Sequence, residues 1–157
     1  MSCRSPRGQR GGDRPAHGEG GIPESAEGRF EAAETIVARA EEAGLAREDV
    51  VIDGLTLTVG ANYRSASCTM ETTERVAREL GVNTISGASN VSFGLPGRLD
   101  INVAFLAMMI ARGLNAAITN PLHREIGKTV AAADLLMARD ENALGWIRSY
   151  RESAEVA

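Results

Sequence analysis

The sequence predicts an α/β fold in which short parallel strands alternate with helices. Three short runs of β-branched and small apolar residues, at 50–52, 82–86 and 116–119, each end in small or polar residues. A stretch of helical periodicity separates each run from the next, and this order requires parallel pairing through right-handed crossovers. Three such strands form either an open sheet or the last three strands of a (β/α)8 barrel, and the pattern alone leaves both open.

The composition is that of a single globular domain. The chain has 157 residues, of which 43% are hydrophobic and 24% charged, and its formal net charge is −4. No apolar run approaches the roughly 20 residues of a membrane span, so we expect a cytoplasmic protein that does not engage a membrane. The two cysteines and two histidines are scattered along the chain, which argues against a metal site built by the protein.

Residues 1–21 differ from the rest of the chain. Arginines alternate there with glycines and prolines, and apolar residues are almost lacking. Such a segment buries too little surface to offset its conformational entropy, so we expect it to be disordered. It is basic, but it has no interleaved aromatic residues for base stacking, so we do not expect a nucleic-acid partner. The folded domain is therefore predicted over residues 22–157.

The first helix is predicted to begin after Ser25 and to end at Gly44. Ser25 is a good N-cap residue, Gly44 suits the position after a helix, and apolar residues between them recur on one face. These apolar residues are Phe30, Ala33, Ile36, Val37 and Ala40. The three branched residues at 50–52 then predict a strand that is buried on both faces and is closed by Asp53 and Gly54.

The remaining elements continue the alternation of helices and strands. The predicted ranges are 55–60 (extended loop), 66–80 (helix), 82–86 (strand), 99–112 (helix), 116–119 (strand), 125–137 (helix) and 143–150 (helix). The apolar face of the helix over 66–80 is predicted to include Met70, Val76, Ala77 and Leu80.

Polar residues stand where the first two strands end. Asp53 follows the first strand, Asn90 follows the second, and Arg98 lies just before the next helix. Ligands of parallel α/β folds bind at the carboxyl ends of the strands, which makes these residues candidates for a site. The alternative interpretation is that Asp53 and Asn90 only turn the chain or cap a helix.

Three segments together resemble the pterin-binding methyltransferase family, whose barrel enzymes pass a methyl group from methyltetrahydrofolate to a corrinoid cobalt. The segments are Val51-Ile52-Asp53-Gly54-Leu55, Gly87-Ala88-Ser89-Asn90-Val91-Ser92 with the following Pro96, Arg98 and Asn102, and Gly113-Leu114-Asn115-Ala116-Ala117-Ile118. The similarity runs over about residues 21–150. It implies the carboxyl-terminal half of a (β/α)8 (TIM) barrel, with strands six to eight.

The resemblance also assigns roles to residues. Asp53 would bind the pterin, because one carboxylate can accept both N–H donors of a 2-aminopyrimidinone edge. Asn90 would be the catalytic residue at N5, because an amide can strengthen its hydrogen bond as charge or a proton arrives in the transition state. Gly87, Ser89 and Arg98 would complete the pterin site, and no metal ligand is assigned. The family usually has Asp-Pro-Leu at residues 53–55, so this chain keeps the carboxylate and lacks the proline.

Dihydropteroate synthase shares this barrel and is the nearest alternative. Its pattern has a Ser-Arg-Lys type segment after the seventh strand and an arginine–histidine pair on the eighth. Here residues 89–91 are Ser-Asn-Val and residues 119–121 are Thr-Asn-Pro. Neither segment carries a cation that could stabilise a diphosphate leaving group, which argues against synthase activity.

The length of the chain bears on its partners. A complete barrel takes about 250 residues, and a partial barrel has unpaired strand edges and an uncovered inner face. We therefore expect either a fragment of a longer enzyme, whose amino-terminal half-barrel is missing here, or a chain that pairs with another to complete the barrel, as in a homodimer. In methyl transfer, methyltetrahydrofolate would be the substrate and cob(I)alamin, on a corrinoid protein or domain, the nucleophile. The second hypothesis is a catalytically silent half-barrel that at most binds pterin.

Overall fold

The computed structural model describes residues 21–155, with side chains for residues 21–152. The predicted disordered head, residues 1–21, lies outside the described residues apart from Gly21. The helices and strands are α1 (Ala26–Glu42), β1 (Val51–Asp53), α2 (Ser65–Arg75), which continues as a π-helical turn (Val76–Leu80), β2 (Asn83–Gly87), α3 (Arg98–Ala111), β3 (Ala116–Ile118), α4 (Arg124–Leu136) and α5 (Leu144–Glu155). Short 3-10 turns lie at Arg47–Asp49, Ala88–Ser92 and Glu141–Ala143.

The three strands form one parallel sheet with β2 in the middle. Asp53 of β1 stands beside Ile85 of β2, and Gly87 of β2 stands beside Ile118 of β3. The predicted α/β fold, with parallel strands alternating with helices, is therefore confirmed.

The described residues cover only one face of this sheet. Ile52, Thr84 and Ser86 point towards the helices and are buried. Val51 and Ile118 point to the other face, where they are 52% and 63% exposed. An open doubly wound sheet has helices on both faces, whereas a barrel segment has them on the outside only, so the arrangement is that of a partial barrel. The prediction that residues 50–52 are buried on both faces is wrong for Val51, because Val51 lies on the inner face.

The core consists of two clusters between the sheet and the helices. One joins α1 to β1 and to the residues around the π-helical turn, and contains Phe30, Ala33, Val37, Val50, Ile52, Val76 and Val82. The other joins α3 to α4 and contains Ala88, Val91, Phe105, Leu106, Met109, Ile110, Leu114, Ile126 and Ala133. Ile36 is 53% exposed, so its predicted place on the buried face of α1 is wrong. None of the helices in the described part of the chain is long and apolar enough to cross a bilayer.

Helix α2 buries a polar stripe that was not predicted, beside the predicted apolar face. Ser65, Thr69, Thr72 and Thr73 are buried. Of the predicted face, Val76 is buried in the core, and Met70 and Leu80 are partly buried against it. The hydroxyl of Thr69 donates to the carbonyl of Ser65 at 3.0 Å, and that of Thr72 donates to the carbonyl of Cys68 at 2.9 Å. These bonds satisfy the hydroxyls of Thr69 and Thr72 within the helix itself, which is why these two threonines can be buried.

Gly54, directly after β1, packs against α2 without room for a side chain. Its N–H donates to the carbonyl of Ile85 at 3.3 Å, which extends the pairing of β1 with β2. A Cβ at this position would lie 2.7 Å from Oγ1 of Thr73. That hydroxyl is buried and has no hydrogen-bond partner among the described residues. A proline at position 54 would lose the N–H donor and meet the same hydroxyl, which gives a physical reason for the glycine here.

We predict that Gly54→Ala lowers the free energy of unfolding by about 1–3 kcal/mol, because the new methyl group overpacks the contact with Thr73. Urea denaturation of the full chain measures the change. The Thr73→Ala background removes the crowding hydroxyl, so the cost of Gly54→Ala should fall there by about 1 kcal/mol or more.

Gly127→Ala is the matched control for this prediction. Gly127 lies in α4, and nothing is within 4 Å of a Cβ built on it. Alanine favours the helical conformation there, so this variant should be neutral or more stable by about 0.5–1 kcal/mol. An equal cost of Gly54→Ala in both backgrounds would show that the contact with Thr73 is not its cause.

Candidate functional site

Four of the five residues predicted from the sequence lie where β1 and β2 end. Asp53 is the last residue of β1 and Gly87 is the last residue of β2. Ser89 and Asn90 lie in the 3-10 turn that follows β2 directly. Arg98, the fifth, is the first residue of α3, after a connection of turns and bends over residues 93–97.

Asp53 lies on the inner face of the sheet. Its neighbour Ile52 points into the core, so the alternation of the strand directs the Asp53 carboxylate to the opposite face, where the residue is exposed. Oδ1 of Asp53 accepts a hydrogen bond from the N–H of Leu55 at 2.9 Å. Oδ2 has no hydrogen-bond partner within residues 21–155, so most of the acceptor capacity of this carboxylate is unused.

Asn90 turns back across the end of β2. A Cβ built on Gly87 would lie 2.9 Å from Nδ2 of Asn90, so the amide rests on the bare Cα of that glycine. Ser86 points towards the helices, so the missing side chain of Gly87 would point to the inner face, as the carboxylate of Asp53 does. The structure therefore brings Asp53, Gly87 and Asn90 together on one face and one edge of the sheet.

Arg98 supports the turn that carries Asn90. Its Nη2 donates to the carbonyl of Ser89 at 2.8 Å, and its Nε donates to Oγ of Ser92 at 3.1 Å. The hydroxyl of Ser92 in turn donates to Oδ1 of the buried Asn102 at 2.7 Å. The guanidinium also lies 5.8 Å from the ring centre of Phe93, within cation–π range. The contacts of Arg98 are thus made to the residues on either side of Asn90.

A cavity of about 390 Å³ opens beside this turn. It is lined by Ser89, Arg98, Leu99, Asn102, Thr119, Asn120, His123 and Ile126. Ser89 and Arg98 are therefore shared with the cavity, whereas Asp53, Gly87 and Asn90 lie on the inner face beyond it. Most of its polar groups can donate hydrogen bonds and none is a carboxylate, which suits a carbonyl or an anionic group of a ligand.

Sequence reasoning missed the role of the segment after β3. No site residue was predicted in the segment after β3, and residues 119–121 themselves carry no cation. In the structure, His123 and Arg98 line the same cavity as Thr119 and Asn120, so two basic side chains lie near the end of β3. The signal that was available is position, because residues 119–123 directly follow the third strand.

Comparison with known proteins agrees with this geometry. Residues 15–120 match the family described as "Pterin binding enzyme", and that range contains Asp53, Gly87, Ser89, Asn90 and Arg98. The chain is also 26% identical over 134 residues to a methylcorrinoid:tetrahydrofolate methyltransferase of Eubacterium limosum. That alignment covers 84% of this chain and 49% of the relative, so the chain spans about half the length of the curated relative that it matches.

The family match covers more than half of the chain and all three strands. The architecture, with parallel strands covered by helices on the outer face only, is that of part of the TIM barrel on which this family is built. The chain belongs to the family of pterin binding enzymes.

Proposed function

We propose that this chain binds the pterin of a methyltetrahydrofolate and takes part in methyl transfer between its N5 and the cobalt of a corrinoid. The observation that carries the proposal is the placement of Asp53 and Asn90. Both lie on the exposed inner face, at the same edge of neighbouring strands, with a carboxylate oxygen and a side-chain amide that have no partner among the described residues.

Asp53 would recognise the pterin ring. The 2-aminopyrimidinone edge of a pterin presents adjacent N–H donors, and a carboxylate accepts two of them in parallel. Oδ2 of Asp53 is unoccupied by the described residues, and Oδ1 accepts one bond from Leu55, which leaves it a second lone pair. The bond to Leu55 would also hold the carboxylate in one orientation before the ligand arrives.

Asn90 would act on the pterin N5. This nitrogen is a poor leaving group unless the negative charge that develops on it is stabilised or a proton is donated to it. An amide that strengthens a hydrogen bond to N5 as the methyl group departs stabilises the transition state more than the ground state. Gly87 would allow the amide to reach that position, and the contacts of Arg98 with Ser89 and Ser92 would keep the turn in place.

The corrinoid would be carried by a partner protein and would supply the cobalt that exchanges the methyl group. The direction predicted from the sequence is from methyltetrahydrofolate to the corrinoid. The name of the relative from Eubacterium limosum describes transfer from a methylcorrinoid to tetrahydrofolate. Both directions pass through the same transition state, so the roles of Asp53 and Asn90 are the same in either.

A pterin-binding protein without methyl-transfer activity is the second candidate. The uncovered inner face favours it, because Val51 and Ile118 are exposed where a complete barrel would be closed. Isothermal titration of the chain with methyltetrahydrofolate, followed by a transfer assay with cob(I)alamin, separates the two. Binding without transfer supports the second candidate, and the lack of binding at millimolar ligand contradicts both.

We predict that Asn90→Ala lowers the rate of methyl transfer by about 100-fold, because it removes a hydrogen bond that matters most in the transition state. The dissociation constant for methyltetrahydrofolate should change by less than about 10-fold. Asn83→Ala, at the amino end of the same strand, is the control and should leave both quantities unchanged. Equal losses in rate and affinity for Asn90→Ala would exclude Asn90 from transition-state stabilisation.

We also propose that the inner face of the sheet is covered by a second copy of the chain, and we predict that the isolated chain self-associates. Ile118→Lys places a charge on this face, so it should shift sedimentation velocity profiles towards the monomer. Leu136→Lys is the control, because Leu136 is 84% exposed on α4, away from the sheet. A folded monomer of the unaltered chain at all concentrations contradicts the proposal.

A further inference from the structure

Among the described residues, Arg29 of α1 is a buried cation without an acidic partner. The residue is 5% exposed. None of the ion pairs formed by the described residues includes it. All the acceptors of its guanidinium are neutral oxygens. Burying a charge is costly, so these hydrogen bonds must offset the lost hydration of the guanidinium. We therefore expect that Arg29 holds the groups that accept these hydrogen bonds in place.

The hydrogen bonds of Arg29 lead to the residues directly after Asp53. Nη1 donates to the carbonyl of Leu55 at 2.8 Å and to that of Gly54 at 3.2 Å. Nε donates to the carbonyl of Pro23 at 2.9 Å, which ties the start of α1 to the same guanidinium. The hydroxyl of Thr69, in α2, lies 3.1 Å from the carbonyl of Leu55 as well.

Leu55 has a backbone conformation that needs such support. Its φ is +57°, in the left-handed region that residues other than glycine adopt at a cost in free energy. Its carbonyl accepts a hydrogen bond from Arg29, and its N–H donates to Oδ1 of Asp53 at 2.9 Å. The orientation of the Asp53 carboxylate is therefore connected to Arg29 through a single residue.

We propose that Arg29 is the positioning residue for Asp53, and that it sets the selectivity of the site for the 2-amino edge of a pterin. The inference rests on the proposed role of Asp53. Without the guanidinium, Leu55 can relax to a negative φ, and its N–H then turns away from Asp53. The carboxylate loses the bond that orients it, while the strand and the rest of the inner face keep their positions.

Two ligands that differ only at this edge test the proposal. Lumazine carries an oxygen where pterin carries the 2-amino group, so it keeps the ring N3–H but cannot offer the adjacent pair of donors that a fixed Asp53 carboxylate accepts. By isothermal titration, the full chain should bind pterin about 10–100-fold more tightly than lumazine, as expected for a hydrogen bond to a charged group. Arg29→Met should reduce that ratio to within about 3-fold by weakening pterin binding alone.

Three comparison variants make this result specific. Asp53→Asn should lose the preference in the same way, and adding Arg29→Met to it should change the ratio no further, because both act on one interaction. Arg29→Lys, whose ammonium can reach one carbonyl, should keep part of the preference. Arg47→Met should retain it, because Arg47 also donates to a backbone carbonyl, that of Leu80 at 3.0 Å, but at the amino end of the sheet.

Hydrogen exchange gives a readout that does not depend on ligand binding. In Arg29→Met the amide of Leu55 should exchange at least about 10-fold faster. The amide of Val59, which donates to the carbonyl of Val91 at 2.9 Å, should exchange as before. Should Arg29→Met fail to fold, Arg29→Lys provides both measurements with smaller expected changes.

The outcomes separate this proposal from the proposed function. A parallel loss of affinity for pterin and lumazine, or an unchanged Leu55 amide, overturns the positioning role. An unaltered chain that binds neither ligand overturns the proposed function. In that case the exchange experiment alone decides whether Arg29 holds Leu55 and Asp53, with a selective rise at Leu55 supporting it and an unchanged rate contradicting it.

Discussion

The parallel pairing of β2 with both of its neighbours is the constraint on which the rest of the structure depends. It aligns the carboxyl ends of three strands at one edge and places Asp53 beside Ile85, two residues before Gly87. The alternation of side chains then decides which groups meet. Ile52 and Ser86 are buried on the face that packs against the helices. Their neighbours Asp53 and Gly87 therefore face the opposite, inner side of the sheet.

The layer between the sheet and α2 is unusually rich in hydroxyl groups. Thr56 and Ser86 hydrogen-bond each other in the interior. Thr84 donates to the carbonyl of Gly113 at 2.9 Å, just before β3. Directional bonds of this kind specify the relative positions of loops more narrowly than apolar contacts do. The loop after β1, which follows Asp53, is therefore held by the bond between Thr56 and Ser86 on the covered side of the sheet.

Much of the fold could be predicted from the sequence because its signals are local. Ser25 caps α1 by accepting from the N–H of Gly28, and Gly44 and Gly81 follow the first two helices with positive φ. The exposure of Val51 could not be predicted, because three branched residues in a row look the same in a closed barrel and in a sheet with one bare face. The buried stripe of α2 was also missed, since its threonines read as polar and only their bonds to the preceding turn allow burial.

The residues of the candidate site likewise divide into those that local sequence signals indicate and those that they do not. Asp53 and Asn90 could be proposed from the sequence because they adjoin strands. Strand alternation places Asp53 and Gly87 on one face, and Asn90 lies against Gly87. Arg29 could not be proposed from the sequence, because it contacts Leu55 across 26 residues of sequence and nothing local distinguishes it from Arg39, the other arginine of the helix. The conformation of Leu55 was equally hidden, since leucine is not a residue that predicts a left-handed turn.

The contact between Asn90 and the bare Cα of Gly87 has a consequence for how such proteins diverge. One extra methyl group at position 87 would push the amide aside without disturbing either the strand or Asp53. If Asn90 has the role proposed here, a descendant with alanine at position 87 would still bind the pterin but would no longer catalyse methyl transfer. Loss of chemistry and loss of recognition are thus separable by a single codon at this edge.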